Sequence, residues 1–408
     1  MSEIEPVGDF RMRARRWLKE NLPPAPESFT LDGDEAMWER ARVLQRRLYD
    51  GGFAGICFPA EYGGQGLTRL HQRAFTEESL PYEMPLMLNM PTFGICAPTI
   101  LDMGSEEQKR THLPAVLRGE EILVQFLSEP RGGSDLAGLT TRAERDGDTW
   151  ILNGSKIWSS GAYAADYALC LARTDWDVPK HQGLTMFLMP VHGPGVTIKR
   201  IRQTNGSDEF CQEFFDDVVL PAECVLGEVN GGWAVASRQL YHERTAMGGG
   251  SPYFSGARPR IAGEVADLVD LAQRTGQLGD PRVREDIGEA RSMRLVEQQL
   301  VDRVGQAIGS GAMEPSASSI IRLFRAESVW LQTDLALRIA AAAGVTGDRD
   351  GSQGLGRVGA DYIYRQANGI AGGSAEMARN VISERVLGMP REYAADRDVP
   401  FRDVKQGR

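Results

Sequence analysis

Cysteine is scarce in this sequence: five residues, Cys57, Cys96, Cys170, Cys211 and Cys224, among 408. They are too few and too scattered for a disulfide framework, and no two lie at metal-knuckle spacing, which excludes a zinc knuckle. Histidine is as sparse, and His71, His112, His181, His192 and His242 include no pair at ligand spacing with a carboxylate, so no metal site is expected. No apolar run reaches the roughly 20 residues that span a bilayer. The first residues, Met1-Ser2-Glu3-Ile4-Glu5, lack the basic-then-apolar order of a secretory signal. Positive charge is in deficit, 46 Lys and Arg against 56 Asp and Glu, for a net charge of −10. Neither nucleic acid nor an anionic membrane is therefore an expected partner, and a reduced cytoplasm is the expected location. Also absent are Gly-x-x-x-x-Gly-Lys-Ser/Thr, Gly-x-Gly-x-x-Gly after a strand, and Gly-x-Ser-x-Gly, which excludes the familiar phosphate cradles and the serine-esterase elbow.

What is present reads as an α+β chain of helix, then sheet, then helix, and at roughly 150 residues per domain the length suits two or three domains. A hydrophobic share of 42% excludes a mostly disordered chain. Residues 1–123 carry helical periodicity: Phe10, Ala14, Trp17 and Leu18 form one stripe, and Met37, Ala41, Leu44 and Leu48 another that ends at Gly51-Gly52. Between 124 and 230 the texture changes to short β-prone runs such as Tyr167 to Ala172, Leu184 to Met189, Val196 to Ile201 and Glu213 to Val219. Asn153-Gly154, between two such runs, suits a tight hairpin. From 231 to 408 helices return, with stripes at Met293, Val296 and Leu300 and at Ile321, Phe324, Ser328, Leu331, Leu335 and Ile339. These are the makings of a helical bundle whose uncovered faces meet another subunit. Loops dense in Gly and Asp are expected at Gln273 to Pro281 and Gly344 to Gly359.

Three segments carry candidate chemistry. Gln125-Phe126-Leu127-Ser128-Glu129-Pro130-Arg131-Gly132-Gly133-Ser134-Asp135 combines hydroxyls with paired glycines, which lets backbone approach a planar ligand. Asn153-Gly154-Ser155-Lys156-Ile157-Trp158-Ser159-Ser160 offers an indole to stack on a ring and a hydroxyl beside it. Ile370-Ala371-Gly372-Gly373-Ser374-Ala375-Glu376 is a glycine-hinged entry into a helix.

In this order and spacing the three resemble an acyl-CoA dehydrogenase over residues 8–395, most of all the bacterial versions that act on steroid and branched acyl groups. Pro59-Ala60-Glu61-Tyr62-Gly63-Gly64, Phe214-Phe215-Asp216-Asp217-Val218 with Pro221, and Glu384-Arg385-Val386-Leu387-Gly388 match further family segments. The resemblance implies an N-terminal helical domain (1–123), a middle β domain (124–230) and a C-terminal four-helix bundle domain (231–408). It also implies FAD as cofactor, an acyl-CoA substrate and an electron-transfer flavoprotein as acceptor. By the same resemblance Gln125, Leu127, Ser128, Gly133 and Ser134 face the flavin and its phosphates, and Trp158 and Ser160 cover its other side. Arg274, Ser374 and Glu376 match positions toward the pyrophosphate and adenosine.

Dehydrogenation of a thioester requires a carboxylate to take the α-proton and donors to polarise the carbonyl. One family location for that Glu is the glycine-hinged loop, where this chain has Gly372, which cannot act as a base. The other matches Glu243 in Leu240-Tyr241-His242-Glu243-Arg244, so Glu243 is the expected base and the Gly372 N–H a donor to the thioester oxygen. His242 is read as a helix-surface residue outside the site.

Two family segments that reach across a dimer to FAD are altered here, to Arg274-Thr275-Gly276-Gln277-Leu278-Gly279 and Ala341-Ala342-Ala343-Gly344-Val345-Thr346-Gly347. A homotetramer or an α2β2 heterotetramer with a related subunit is expected. Non-catalytic or half-site partner subunits, and flavin-linked oxidases on the same fold, are the alternatives. The resemblance places the pocket base at Asn89 to Cys96, where Pro91 and Gly94 are expected to disturb the helix and widen the cavity for a branched or polycyclic acyl group.

Overall fold

In a computed structural model, residues 4–26, 35–247, 250–257, 268–346 and 355–405 are described. Gly347 and the centre of the expected loop after it lie outside the described residues. The chain forms two compact units, one of residues 1–202, 208–259 and 394–408, the other of 203–207 and 260–393.

The first unit opens with α1 (Val7–Asn21), α2 (Glu35–Asp50) and α3 (Arg69–Ser79). The expected stripes are the buried faces: Phe10, Ala14 and Leu18 meet Leu44, Leu48, Phe53 and Phe75 in one core. A single turn, α4 (Leu86–Leu88), leads into a π-helix at Asn89–Cys96 and then α5 (Ala97–Met103). The disturbance expected from Pro91 is this widened turn, since proline withholds one N–H from the helical ladder. The expected opening at Gly94 is not there. An added Cβ would lie 2.6 Å from Phe254 Cε1, 2.7 Å from the Asn89 carbonyl oxygen and 3.0 Å from Ala246 Cβ. Gly94 therefore permits close packing and does not make a hole. The helix α6 (Glu106–Leu117) begins with a reciprocal cap, Gln108 N donating to Ser105 Oγ at 3.2 Å and Ser105 N to Gln108 Oε1 at 3.0 Å.

The sheet comprises β1 (Leu123–Phe126), β2 (Arg142–Asp146), β3 (Thr149–Ser160), β4 (Tyr167–Arg173), β5 (Leu184–Pro190), β6 (Val196–Ile201), β7 (Phe210–Pro221) and β8 (Val225–Leu226). Strand order is β6-β7-β3-β2-β4-β5-β8, with β1 parallel to β4. Asn153-Gly154 is not a hairpin. It lies inside the continuous β3, at a register shift against β7 between Leu152 and Gly154. Asn153 and Asp217 exchange two hydrogen bonds of 2.9 Å there, and Gly154, at φ 146°, leaves no room for a Cβ, which would fall 2.7 Å from Thr141 Cα. The hairpin is one turn earlier, at Gly147, between β2 and β3. After the sheet, α7 (Gly232–Met247) packs on the π-helix and on β5.

The second unit contains α8 (Leu268–Arg274), α9 (Pro281–Gly309), α10 (Ser318–Thr346), α11 (Gly356–Tyr364) and α12 (Ala375–Val381). Its core joins Leu271, Leu335, Ile339 and Val358. The α10 stripe read from the sequence is buried at Ser328, Leu335 and Ile339, whereas Val296 of the α9 stripe and its neighbour Leu295 remain exposed. Among the described residues no helix is long and apolar enough to cross a membrane.

The Gly94 contact gives a first test. Gly94→Ala is expected to lower stability by about 1–3 kcal/mol, because the Asn89 carbonyl is backbone and cannot swing aside; denaturant midpoints of the two proteins measure it.

Candidate active site

The centre of the first unit is organised by a buried charge pair. Lys156 on β3 and Glu129, just after β1, meet at 3.0 Å with side chains 0% and 5% exposed. Lys156 Nζ also donates to the Leu127 carbonyl at 3.0 Å. Glu129 Oε2 accepts from Thr140 N at 2.7 Å and Thr140 Oγ1 at 2.9 Å, and Oε1 from Thr141 N at 2.8 Å. Burial opposes ionisation of Glu129, but the Lys156 ammonium and these donors outweigh it and bring its pKa down to about 2. Sequence reasoning quoted both residues inside its segments and assigned neither a role.

This pair seats the first candidate segment against the second. Ile157 N donates to the Ser128 carbonyl at 3.0 Å. At the next residue the β3–β7 register shifts again, and Trp158 adopts φ 68° with its side chain 55% exposed. A left-handed backbone at a bulky residue is a strained geometry that its surroundings must hold. Here the ladder on both sides of the bulge holds it, and the indole stands edge-on to Phe210 at 5.9 Å. Ser160 is exposed on the same strand and Ser128 is half-buried. Gly133 and Ser134 are exposed, and a Cβ on Gly133 would sit 3.3 Å from Ser128 Oγ. Leu127 is packed in the core, and the atom it turns to a polar partner is its carbonyl oxygen. Ser128, Gly133, Trp158 and Ser160 thus bring one accessible indole, two hydroxyls and a position without a Cβ to two segments joined by the Ile157–Ser128 hydrogen bond.

Glu243 belongs to the same unit. Gln125 Nε2, from β1, donates to Glu243 Oε2, from α7, at 3.1 Å. The half-buried carboxylate lies close enough to Cys96, at the end of the π-helix, that burial and then the Glu243 charge raise that thiol well above its usual range. His242 is not a surface residue. It is buried, and its Nε2 lies 2.8 Å from Asp102 Oδ2, which Arg238 also reaches at 2.8 Å. Burial opposes the Asp102 charge, but His242 and Arg238 outweigh it and lower that pKa. The trio clamps α7 onto α5, one residue from Glu243.

The remaining predicted residues lie in the second unit. Gly372 and Gly373 take φ 69° and 90°, and Ser374 Oγ accepts from Met377 N at 3.2 Å as the N-cap of α12. Glu376 is exposed in the first turn, its pKa lowered by its own N–H and the Ser374 hydroxyl. Arg274 ends α8, exposed and 3.5 Å from Asp270. Gln277, which stands where the family segment has an aromatic, donates to the Ile339 carbonyl of α10.

Glu213 on β7 was also missed. It pairs in register with Lys156, is fully buried, and accepts from Ser159 Oγ at 3.0 Å, while among the described residues Oε1 has no hydrogen-bond partner. Burial raises its pKa to about 8. An alternation count could have found it, since Cys211, Glu213 and Phe215 are successive inward positions of one strand.

Comparison with known proteins matches residues 7–120 to the acyl-CoA dehydrogenase N-terminal domain, 125–218 to the middle domain and 230–387 to the C-terminal domain. Acyl-CoA dehydrogenase IpdE1 of Mycobacterium tuberculosis is 35% identical over 402 residues, covering 95% of this chain and 99% of its own. Among solved structures, the "Tcur3481-Tcur3483 steroid ACAD" superposes with a TM-score of 0.74 at 29% identity, over 96% of this chain and 100% of that one. The ChsE4-ChsE5 complex from Mycobacterium tuberculosis gives 0.72 at 25% identity, over 96% and 100%.

The buried Glu213 makes stability depend on pH. Below about pH 4 the carboxyl is neutral whether folded or unfolded. As pH rises toward its folded value of about 8, the unfolded chain loses the proton first and stability falls. Glu213→Gln removes that dependence, so it is expected to raise the melting temperature at pH 8 and to change it little at pH 4.5; equal shifts at both would contradict the assignment.

Proposed function

The chain belongs to the acyl-CoA dehydrogenase family, FAD-dependent oxidoreductases that act on a CH–CH bond of an acyl-CoA thioester, and from that premise we propose that Glu243 is its base. The observation that carries this reading is the Gln125–Glu243 hydrogen bond of 3.1 Å. It fixes a half-buried carboxylate between a strand and a helix, in the unit that also presents Trp158. Forming the 2-enoyl product removes an α-proton and a β-hydride. Glu243 takes the proton onto a carboxylate oxygen, and Gln125 donates to that carboxylate and sets its orientation. Bound FAD supplies the hydride acceptor.

The residues present suit an isoalloxazine ring. Trp158 is held outward by a bulge, Ser128, Ser134 and Ser160 carry hydroxyls, and the missing Cβ of Gly133 leaves Ser128 Oγ approachable. Lys156 and Glu129 keep these segments in register and take no part in proton transfer. For the second unit the reading assigns the Gly372 N–H to the thioester oxygen, Arg274 to the pyrophosphate, and Ser374 and Glu376 toward adenosine. Electrons leave to an electron-transfer flavoprotein.

A specific observation favours an α2β2 assembly over a self-sufficient homotetramer. The segment Arg274 to Gly279 contains no aromatic, and Gln277, which stands in the aromatic's place, is spent on the Ile339 carbonyl. Exposed Leu295 and Val296, at 54% and 48%, give α9 an apolar face for a related subunit. Two of the similar structures, the Tcur3481-Tcur3483 steroid ACAD and the ChsE4-ChsE5 complex, are named for two proteins each.

Glu243→Gln is expected to reduce acyl-CoA dehydrogenation at least about 10²-fold with the visible flavin spectrum unchanged. Near-normal turnover in that variant would overturn the base assignment. For the assembly, the chain purified alone is expected to hold less than one FAD per subunit and to gain both FAD and activity on co-expression with a related subunit. One FAD per chain with full turnover as a homo-oligomer removes the heteromeric reading.

A further inference from the structure

One helical turn before Glu243, the same helix carries a polar side chain with nothing to bond. Gln239 is 0% exposed, and among the described residues neither its Nε2 nor its Oε1 has a hydrogen-bond partner. A buried polar group left unpaired costs about 1–3 kcal/mol, so a fold rarely retains one that could be replaced by leucine. Positions three or four apart share a helix face, and Gln239, Glu243 and Ala246 therefore form one stripe of α7. That stripe meets the π-helix, where Gly94 lies against Ala246. The π-helix carries a second orphan: Asn89 Oδ1 accepts from Ser255 N at 2.7 Å, while its buried Nδ2 has no partner among the described residues. The π-helix in turn is joined to β1, the strand of Gln125, by Thr92 Oγ1, which lies 3.1 Å from Leu123 N and 3.0 Å from the Leu123 carbonyl oxygen. Unpaired amides thus stand on α7 itself and on the π-helix packed against it, which ends at Cys96 within reach of the Glu243 charge.

We propose that Gln239 is a specificity residue, which recognises an oxygen substituent on the acyl group of the thioester, with Asn89 Nδ2 as a second donor. The primary amide of Gln239 both gives and accepts, so a hydroxyl or a keto oxygen satisfies it, whereas a purely hydrocarbon chain leaves it orphaned. The preferred substrates are therefore oxygenated acyl-CoA thioesters. This rests on the reading of Glu243 as the base, because it places the acyl group along the α7 stripe.

The test separates the two readings by measuring binding without turnover. FAD-loaded Glu243→Gln protein is titrated calorimetrically with 3-cyclohexylpropanoyl-CoA and with its 4-hydroxy and 4-oxo ring counterparts. At least one oxygenated thioester is expected to bind about tenfold or more tightly than the hydrocarbon one, and adding Gln239→Leu or Gln239→Met is expected to erase the difference. The single variants Gln239→Leu and Gln239→Met are also expected to melt above the parent in the absence of thioester, since they remove an unsatisfied group. Binding with no discrimination, discrimination that survives loss of Gln239, or a lower melting temperature in both single variants would overturn the proposal while leaving the Glu243 assignment standing. Failure of every thioester to bind would overturn both.

Discussion

A single ammonium buried between two carboxyls sets the terms for the rest of the first unit. Lys156 sits in the interior of β3 with Glu129 on one side and Glu213 opposite in register on the other. Its charge is committed to Glu129, which also collects the Thr140 and Thr141 donors and ionises fully. Glu213 has Ser159, its own backbone N–H and a weaker share of the same ammonium, so burial prevails and raises its pKa to about 8. The three groups then carry no net charge in the core. Loss of one member of such a hydrogen-bonded pair generally costs about 3–5 kcal/mol, because the other is left buried and unpaired. The consequence is directional as well as energetic. The pair locks the loop after β1 onto β3, and the exposed Trp158 and half-buried Ser128 inherit their relative placement from it.

The second constraint is the fit of α7 on the π-helix. Gly94 removes the side chain that would separate them, and Phe254 and Ala246 fill the space. The His242–Asp102–Arg238 clamp pins the same stretch of α7 to α5. Glu243 reaches Gln125 because both contacts hold the helix at one height along β1. A carboxylate in a proposed catalytic role is thus positioned by its bond to Gln125, by the Asp102 clamp on the neighbouring His242 and by one missing Cβ.

The order of elements was legible in the sequence wherever one periodicity ran uninterrupted. The α1 and α2 stripes and strands β4 to β7 fell where apolar residues recurred at helical or alternate spacing. Legibility failed where long-range packing overrode a local signal. Asn153-Gly154 has hairpin chemistry, yet Thr141 and Asp217 hold it inside a strand. Gly94 read as a source of space because the sequence cannot show that Phe254 returns to fill it. His242 read as surface because its partner, Asp102, is 140 residues away. Of the candidate site, the segments around Ser128 and Trp158 were legible as motifs, and the bulge that turns the indole outward was not. Of the buried polar groups that organise the site, Glu213 was legible by alternation with Cys211 and Phe215, whereas its grouping with Lys156 and with Glu129, in the loop after β1, was not, because long-range pairing brings the three together.

The acidic balance poses one more physical question: where a chain of net charge −10 keeps cations for phosphate-bearing ligands. Much of its positive charge is committed. Lys180 bridges Asp135 and Asp396 at 3.1 Å each, and Arg173 is buried over the Phe401 ring, its guanidinium donating to the Leu139 and Ala137 carbonyls. Extracting either would strip several bonds at once. Arg274 is held differently, by one exposed pair within its own helix at 3.5 Å. Pairs of that kind are worth a few tenths of a kcal/mol, so its guanidinium can exchange Asp270 for a phosphate at almost no cost. The cations suited to a polyanionic ligand are therefore those the fold holds most loosely, and the surplus of acid leaves the strongly held ones to maintain the frame.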